Sequence, residues 1–395
     1  MGDPMAFLKE ELDQLKRANL FRPLFELQSP QAPLSRIRDR DVVNLSSNNY
    51  LGLTTHPRMI RAAREAIDRY GVGTSAVRTI IGTMTVHERL EKKLAWFKGT
   101  EAALTFQSGF TTNVSLCQSL MSSDQDLLIS DELNHASIID GARLARAPRR
   151  VYRHRDMKHL EEILKAEPGG RRRVMIVTDG VFSMDGDICP LPDIVDLAQQ
   201  HGAMVMVDDA HATGVLGKNG RGTPSHFGVS ERVQIQIGTL SKAVAALGGY
   251  VAGSQDLRDY LIHTARPFLF SSSHPPSVAA ACLEAISIMC EEPELVDRLW
   301  ENTRFLKDGL KELGFDIGVS ETPITPVIIG DTARTMRFSD RLFEEGFFIQ
   351  GIGFPTVPRG RERLRVIVGA AHAREQLERA LAAFGKIGRE IGVIR

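Results

Sequence analysis

Four short apolar runs punctuate the middle of the chain: DLLIS (126–130), RVMIVTDG (173–180), AMVMVDDA (203–210) and VQIQIGTL (233–240). Each is bounded by turn or charged residues. Runs this short suit strands of a two-sided sheet. Helical patterns lie between several of them, for example LPDIVDLAQQHG at 191–202. Short strands separated by helices predict an α/β architecture built on a mostly parallel sheet. ALTFQSG (103–109) reads as a further strand that runs into the helix FTTNVSLCQSLM (110–121). GGYVAG (248–253) is another strand, and its glycines leave its pairing direction open.

The flanks read differently. Residues 4–18 form a short amphipathic helix, and Pro23, Pro30 and Pro33 then break the pattern into an extended arm. MIRAAREAIDRYG and VHERLEKKLAWFKG are helices stopped by Gly71 and Gly99. From about residue 276 two long helical patterns follow, then the strand PVIIG, a helix around RTMRFSDRLFEEG, the strand RLRVIV and a last helix from 374. The expected organisation is an N-terminal helix and arm over 1–55, a large domain over 56–289 and a small α+β domain over 290–395.

Acidic and basic side chains balance at 49 each, which argues against a general nucleic-acid or membrane-surface role. The arginines at 146, 149, 150 and 171–173 read as solvated helix ends and turns. Cys117, Cys189, Cys282 and Cys290 form no CxxC pair, so free, buried thiols are expected rather than disulfides or a zinc site. The first residues lack the basic-then-apolar pattern of a signal peptide, and no long uncharged apolar stretch appears. A cytoplasmic enzyme is the expectation.

The residues that could do chemistry sit at strand ends. Neither GxGxxG after an early strand nor GxxxxGK[ST] is present. At Gly109 and Phe110 a strand gives way to a helix, and the amides of such a turn can hold a phosphate. VMVDDAHATG delivers Asp208, Asp209 and His211 to the carboxyl end of a strand, where ligands of such sheets bind. Adjacent aspartates on an extended chain point to opposite sides, so the two have different roles. A metal site there would lack ligands; a cofactor site is preferred. GTLSKA places Lys242 after an apolar strand among small residues, where an amine of lowered pKa can bond covalently to an aldehyde. Together these supply what pyridoxal 5′-phosphate (PLP) needs. Lys242 is the covalent lysine, Asp208 a carboxylate for the ring nitrogen, Gly109-Phe110 a phosphate cup and His135 a face for the ring.

Eight segments carry a resemblance: NNYLGL (48–53), GVGTSAVRTIIGT (71–83), QSGFTTN (107–113), DELNHASIIDG (131–141), TDGVFSMDGD (178–187), VDDAHATG (207–214), GRG (220–222) and GTLSKA (238–243). In these the chain resembles the α-oxoamine synthase family, from about residue 20 onward. The resemblance implies a fold-type-I PLP-dependent transferase that condenses an amino acid with an acyl-CoA. It also implies a homodimer with shared active sites. It places His211 and Ser183 near the cofactor's phenolic oxygen, and Thr239 with Gly109 and Phe110 at its phosphate. Ser272 and Ser273 would reach the partner subunit's phosphate. Arg365, with Asn49 nearby, would hold the substrate carboxylate, and Arg22 would touch substrate from the arm. SAVR (75–78) and Asp179 resemble members that join glycine to acetyl-CoA, giving 2-amino-3-oxobutyrate, and that reaction is the first expectation. Ala210, before His211, resembles members that join alanine to pimeloyl-CoA, giving 8-amino-7-oxononanoate, which is the alternative.

Overall fold

The computed structural model describes residues 3–17, 21, 24–167 and 170–395. Its strands are β1 (Leu34–Ile37), β2 (Arg40–Asn44), β3 (Ala102–Phe106), β4 (Asp126–Asp131), β5 (Arg149–Tyr152), β6 (Arg173–Asp179) and β7 (Met204–Asp208). Then come β8 (Ile235–Thr239), β9 (Gly249–Gly253), β10 (Ile324–Ile328), β11 (Phe347–Phe348), β12 (Gln350–Ile352) and β13 (Arg363–Ile367).

Seven strands form one sheet in the order β3-β9-β8-β7-β6-β4-β5. The run from β8 to β5 is parallel throughout. β9 resolves the direction left open by its glycines: it lies antiparallel to both β3 and β8. Apolar residues of β4, β6 and β7 alternate between two clusters. Leu128, Met175 and Met206 pack on one face with helix Gly109–Leu120, while Leu127, Ile176 and Val207 pack on the other with helix Leu191–Gln200. That two-sided cover is why these strands carry no polar alternation. The architecture is the mostly parallel α/β fold of a fold-type-I PLP transferase.

β5 departs from the sequence reading, which left Arg149 and Arg150 in a turn. It is an edge strand paired only with β4, and only Tyr152 is buried, so it has no apolar run to betray it. The arm is also more ordered than an extended link. β1 and β2 pair antiparallel, β11 joins β2 in parallel, and Val43 and Leu45 enter an apolar cluster with Leu364, Phe338 and Phe384. β10, β13 and β12 make a second three-stranded sheet. Cys117, Cys189 and Cys282 are buried free thiols and Cys290 is half-buried. Among the described residues, no helix is long and apolar enough to cross a membrane.

One buried ion pair ties a helix to the sheet's carboxyl edge. Lys98, the last residue of helix Thr85–Lys98, places Nζ 2.7 Å from Asp209 Oδ2, and neither side chain has any exposed surface. Asp209 also accepts from the Thr223 amide. Burial works against the charge on Lys98, but Asp209 and Tyr250 outweigh it and its pKa is raised. Gly222 leaves room for this pair, since a Cβ there would sit 1.9 Å from Asp209 Oδ2. Removing one partner strands a buried charge. Lys98→Met should therefore lower stability by about 3–5 kcal/mol in denaturant unfolding. Lys98→Met with Asp209→Leu should recover much of that loss; equal losses in both variants would contradict the pairing argument.

Candidate active site

β6, β7 and β8 end side by side, with Asp179 of β6 in register with Asp208 of β7. Beyond these ends lies a cavity of about 240 Å³. The loop after β6 brings Ser183 to it, the loop after β7 brings His211, and the loop after β8 brings Lys242. From the other side, β3 runs into the helix that starts at Gly109. Ser108 caps this helix by accepting from Thr111 N at 3.1 Å, leaving Gly109 and Phe110 at the cavity wall. The helix starts close against β8: a Cβ on Gly109 would lie 3.3 Å from Thr239 Cβ.

Asp208 is fixed by two bonds. Its Oδ2 accepts from Asn113 Nδ2 at 2.6 Å, and its Oδ1 from Ala210 N at 2.9 Å. Asn113 Nδ2 also donates to Ser137 Oγ at 2.9 Å, and Ser137 Oγ meets His135 Nδ1 at 2.7 Å. A continuous polar chain thus links the strand-end carboxylate to the imidazole at the cavity's edge. Asp179 accepts from the His135 amide at 2.9 Å. Burial and the neighbouring charge of Asp208 push the Asp179 carboxyl well above the usual carboxylate range. The Asn113 Oδ1 atom is buried without a partner among the described residues.

Lys242 stands opposite. Burial lowers its pKa from the ordinary lysine value to about 8, although Asp208 and Asp179 oppose the shift. His211 is buried, and burial together with Lys242, Arg365 and His135 drives its pKa well below the ordinary histidine value. His135 is shifted the same way by burial, with Asp208 opposing. The set therefore combines a neutral-leaning amine, a held carboxylate, uncharged imidazoles and a helix start. That is the donor set of a site for an aldehyde-bearing, phosphate-bearing, protonated ring. Among the described residues, no group of three or more His, Cys, Asp or Glu side chains is placed to hold a metal ion.

The sheet of β10, β13 and β12 also reaches the cavity's surroundings. Arg365 on β13 donates from Nε to Ser183 O at 2.6 Å, and burial lowers its pKa. Two residues before it, Arg363 is almost wholly buried and donates to Met184 O and to Asp185 Oδ1, at 2.9 and 2.7 Å. On the far side of this loop His154 bridges Asp131 and Asp187 at 3.0 and 2.8 Å. Burial disfavours its charge, yet the two carboxylates lift its pKa to about 9.

Several expected residues lie elsewhere. Asn49 faces away from Arg365: its Nδ2 donates to Thr54 Oγ1 at 2.8 Å, and it lines a separate small cavity with Asn44 and His372. Its neighbour Asn48 stands beside Arg365 instead, with Oδ1 3.5 Å from Nη2. The two asparagines project differently from the turn, and an NN pair in sequence does not say which faces inward. Ser273 is buried, bonding through N and Oγ to Ala76 O, while Ser272 is exposed and bridges to Val77. Neither lines the cavity of the single chain. Arg22 lies outside the described residues. Asn113, Ser137, Asp179 and Ser241 line the cavity as well, and the motif reading did not single them out for the cofactor. Asn113 had a signal: a polar residue one turn beyond Gly109, on the helix face that holds Leu116, Cys117 and Leu120 in the core.

Comparison with known proteins agrees with this geometry. Residues 40–384 match the family model of class I and II aminotransferases. The chain is 63% identical over 388 residues to the 8-amino-7-oxononanoate synthase of Symbiobacterium thermophilum, covering 98% of this chain and 99% of the relative. It is 55% identical over 394 residues to 8-amino-7-oxononanoate synthase 1 of Bacillus subtilis, covering 100% of both. A serine palmitoyltransferase of S. paucimobilis, solved with a bound PLP–myriocin aldimine, superposes with a TM-score of 0.94 at 32% identity, covering 100% of both chains. The chain belongs to the class I and II aminotransferase family and, within it, to the α-oxoamine synthases. It is a PLP-dependent enzyme. The expectation of glycine and acetyl-CoA as first substrates finds no support in these relatives, which favour the alternative. SAVR and Asp179 were too short a basis to separate family members.

The cavity carries its own test. In the cofactor-free protein an amine-directed reagent should modify Lys242 with a pH midpoint of about 8, against about 10.4 for ordinary lysines. Peptide mapping beside the Lys242→Ala variant identifies the site. A midpoint at the ordinary value would show that the amine is not enclosed.

Proposed function

We propose that this enzyme joins L-alanine to pimeloyl-CoA, releasing CoA and CO2 and forming 8-amino-7-oxononanoate, a step of biotin synthesis. The observation that carries this reading is the 63% identity to an 8-amino-7-oxononanoate synthase over nearly the full length of both chains. The lysine–carboxylate cavity supports the underlying chemistry. Bound PLP supplies an aldehyde for the amino group and a ring that takes up the electrons freed at Cα.

This chain's residues do the rest. Lys242, whose pKa burial lowers to about 8, would be the residue that holds the cofactor covalently and, once freed, the base for the Cα proton. Asp208, held by Asn113, keeps a proton on the ring nitrogen through a charge-assisted hydrogen bond. The helix start at Gly109 and Phe110, with Thr239, holds the phosphate. His135 would cover one face of the ring, and Ser183 and His211, which line the same cavity, would meet its phenolic oxygen. Arg365, beside which Asn48 stands, would hold the substrate carboxylate, and Arg22 would be a further substrate contact. Fixing the carboxylate would orient the substrate's Cα for proton removal. Cα would bond to the thioester carbon as the CoA thiolate leaves, and loss of the original carboxylate as CO2 would be followed by return of a proton to Cα, with Lys242 placed to supply it.

We further propose a cytoplasmic homodimer, with Ser272 or Ser273 completing the partner's phosphate site. Ile80, Ile81 and Phe270 are 80%, 79% and 71% exposed, more apolar surface in one neighbourhood of the Val77–Ser272 bridge than a lone chain would leave open. The three-part division at residues 55 and 289 belongs to the same reading.

Two measurements decide these points. Release of CoA thiol should be faster, by kcat/KM, with alanine and pimeloyl-CoA than with glycine and acetyl-CoA. Preference for the glycine pair would reverse the assignment, and amino-group transfer without thiol release would make the enzyme an aminotransferase. Sedimentation with serial dilution should show a dimer whose activity falls as it dissociates; a fully active monomer would rule out the shared site.

A further inference from the structure

Tyr50 lies on the turn between the arm and helix Pro57–Tyr70, remote in sequence from every strand end that builds the cavity. It is 1% exposed. Its amide donates to Asn48 O at 2.8 Å and its carbonyl accepts from Ala370 N at 2.7 Å, so the backbone is held from both sides. Its ring sits in the apolar cluster that contains Leu240 and Ala243, the residues flanking the Lys242 turn. At the end of this buried ring the hydroxyl stands 2.8 Å from His211 Nδ1. The two rings meet edge to face, 6.2 Å apart at 78°.

A buried hydroxyl has to place its proton on an acceptor. Among the described residues, the one hydrogen-bond partner of the Tyr50 hydroxyl is His211 Nδ1. If Nδ1 carried the imidazole proton, it would point at the tyrosine oxygen and leave the hydroxyl proton with no acceptor. The arrangement that satisfies both groups has Tyr50 donating and Nδ1 accepting. A neutral imidazole then carries its proton on Nε2. The charge states agree. Burial pushes the Tyr50 hydroxyl up, and burial with the facing cations Lys242 and Arg365 and with His135 pushes His211 down, so neither ionises near neutral pH. His211 borders the cavity, and its Nε2 has no partner among the described residues.

We infer that Tyr50 is a positioning residue: by donating to Nδ1 it fixes His211 as the Nε2–H tautomer and so presents a neutral hydrogen-bond donor to an anionic oxygen on the cofactor ring. This rests on the cavity being the PLP site. The opposite tautomer would set a nitrogen lone pair against that oxygen, and a protonated imidazole would add a cation beside Lys242 and Arg365. Tyr50 thus governs which atom of His211 the cofactor meets, although it does not line the cavity itself.

The test uses the full chain labelled with 15N-histidine, with and without PLP, with His211 signals assigned by their loss in His211→Gln. Long-range proton–nitrogen spectra should show the proton on Nε2 in both forms. In Tyr50→Phe, which removes one oxygen from the ring, the signals should spread over both tautomers. PLP dissociation, followed by fluorescence, should become about three- to tenfold weaker, as one net hydrogen bond implies, with the melting temperature little changed. A proton on Nδ1 in the native chain overturns the proposal, as does a variant with unchanged tautomer and unchanged PLP affinity. Should the variant fail to fold, the tautomer of the native chain decides alone. A native chain that binds no PLP overturns the cofactor reading instead, and the spectra of the cofactor-free chain still decide the role of Tyr50.

Discussion

The Lys98–Asp209 pair sets the direction in which the sheet's carboxyl edge faces. Consecutive residues of an extended chain project to opposite sides. Once Asp209 is drawn to a buried ammonium on one side, Asp208 is turned to the other, into the cavity. Two side chains with no exposed surface make that choice discrete, since a half-turned strand end would leave one carboxylate unpaired in a low dielectric. Asn113 and the Ala210 amide then hold Asp208 in place, and the cavity's remaining groups take their charge states from the enclosure. Lys242 is pushed toward neutrality by burial while the adjacent carboxylates limit how far, so one site keeps both a proton-accepting amine and an anion.

The site draws residues from two sheets. β13 presents Arg363 and Arg365 on the same face, two residues apart, and both grip the backbone of the loop that carries Ser183. Glu321 and Thr322 bond to Gly186 of the same loop, and His154 holds its far end through Asp187. A Cβ at Gly186, where φ is +73°, would lie 2.4 Å from Ile324 O, so glycine is required for this loop to come so close to β10.

Much of this was legible in the sequence. Strands buried on both faces leave apolar runs, and their carboxyl ends are where a parallel sheet puts its chemistry, so Lys242, Asp208 and the Gly109 turn could be picked out by position, whereas the parts given to His211 and Thr239 came from the family resemblance. What stayed hidden depends on tertiary direction. The edge strand β5 has one buried residue and no apolar signature. The choice between Asn48 and Asn49 turns on backbone rotation in a loop, and Tyr50 meets His211 across 161 residues of sequence. Ser137 joins the site only because its helix starts beside Asn113.

The position of β9 has a bearing on how the chain comes off the ribosome. β3 is made early, yet its only neighbour in the sheet is β9, whose residues end at Gly253. The parallel block from β4 to β8 can assemble as it emerges, while β3 waits with both edges unpaired. The nascent chain therefore carries an open strand through most of the synthesis of the sheet. Closure comes only when β9 threads between β3 and β8, a long-range step of the kind that slows folding and invites pairing with other chains.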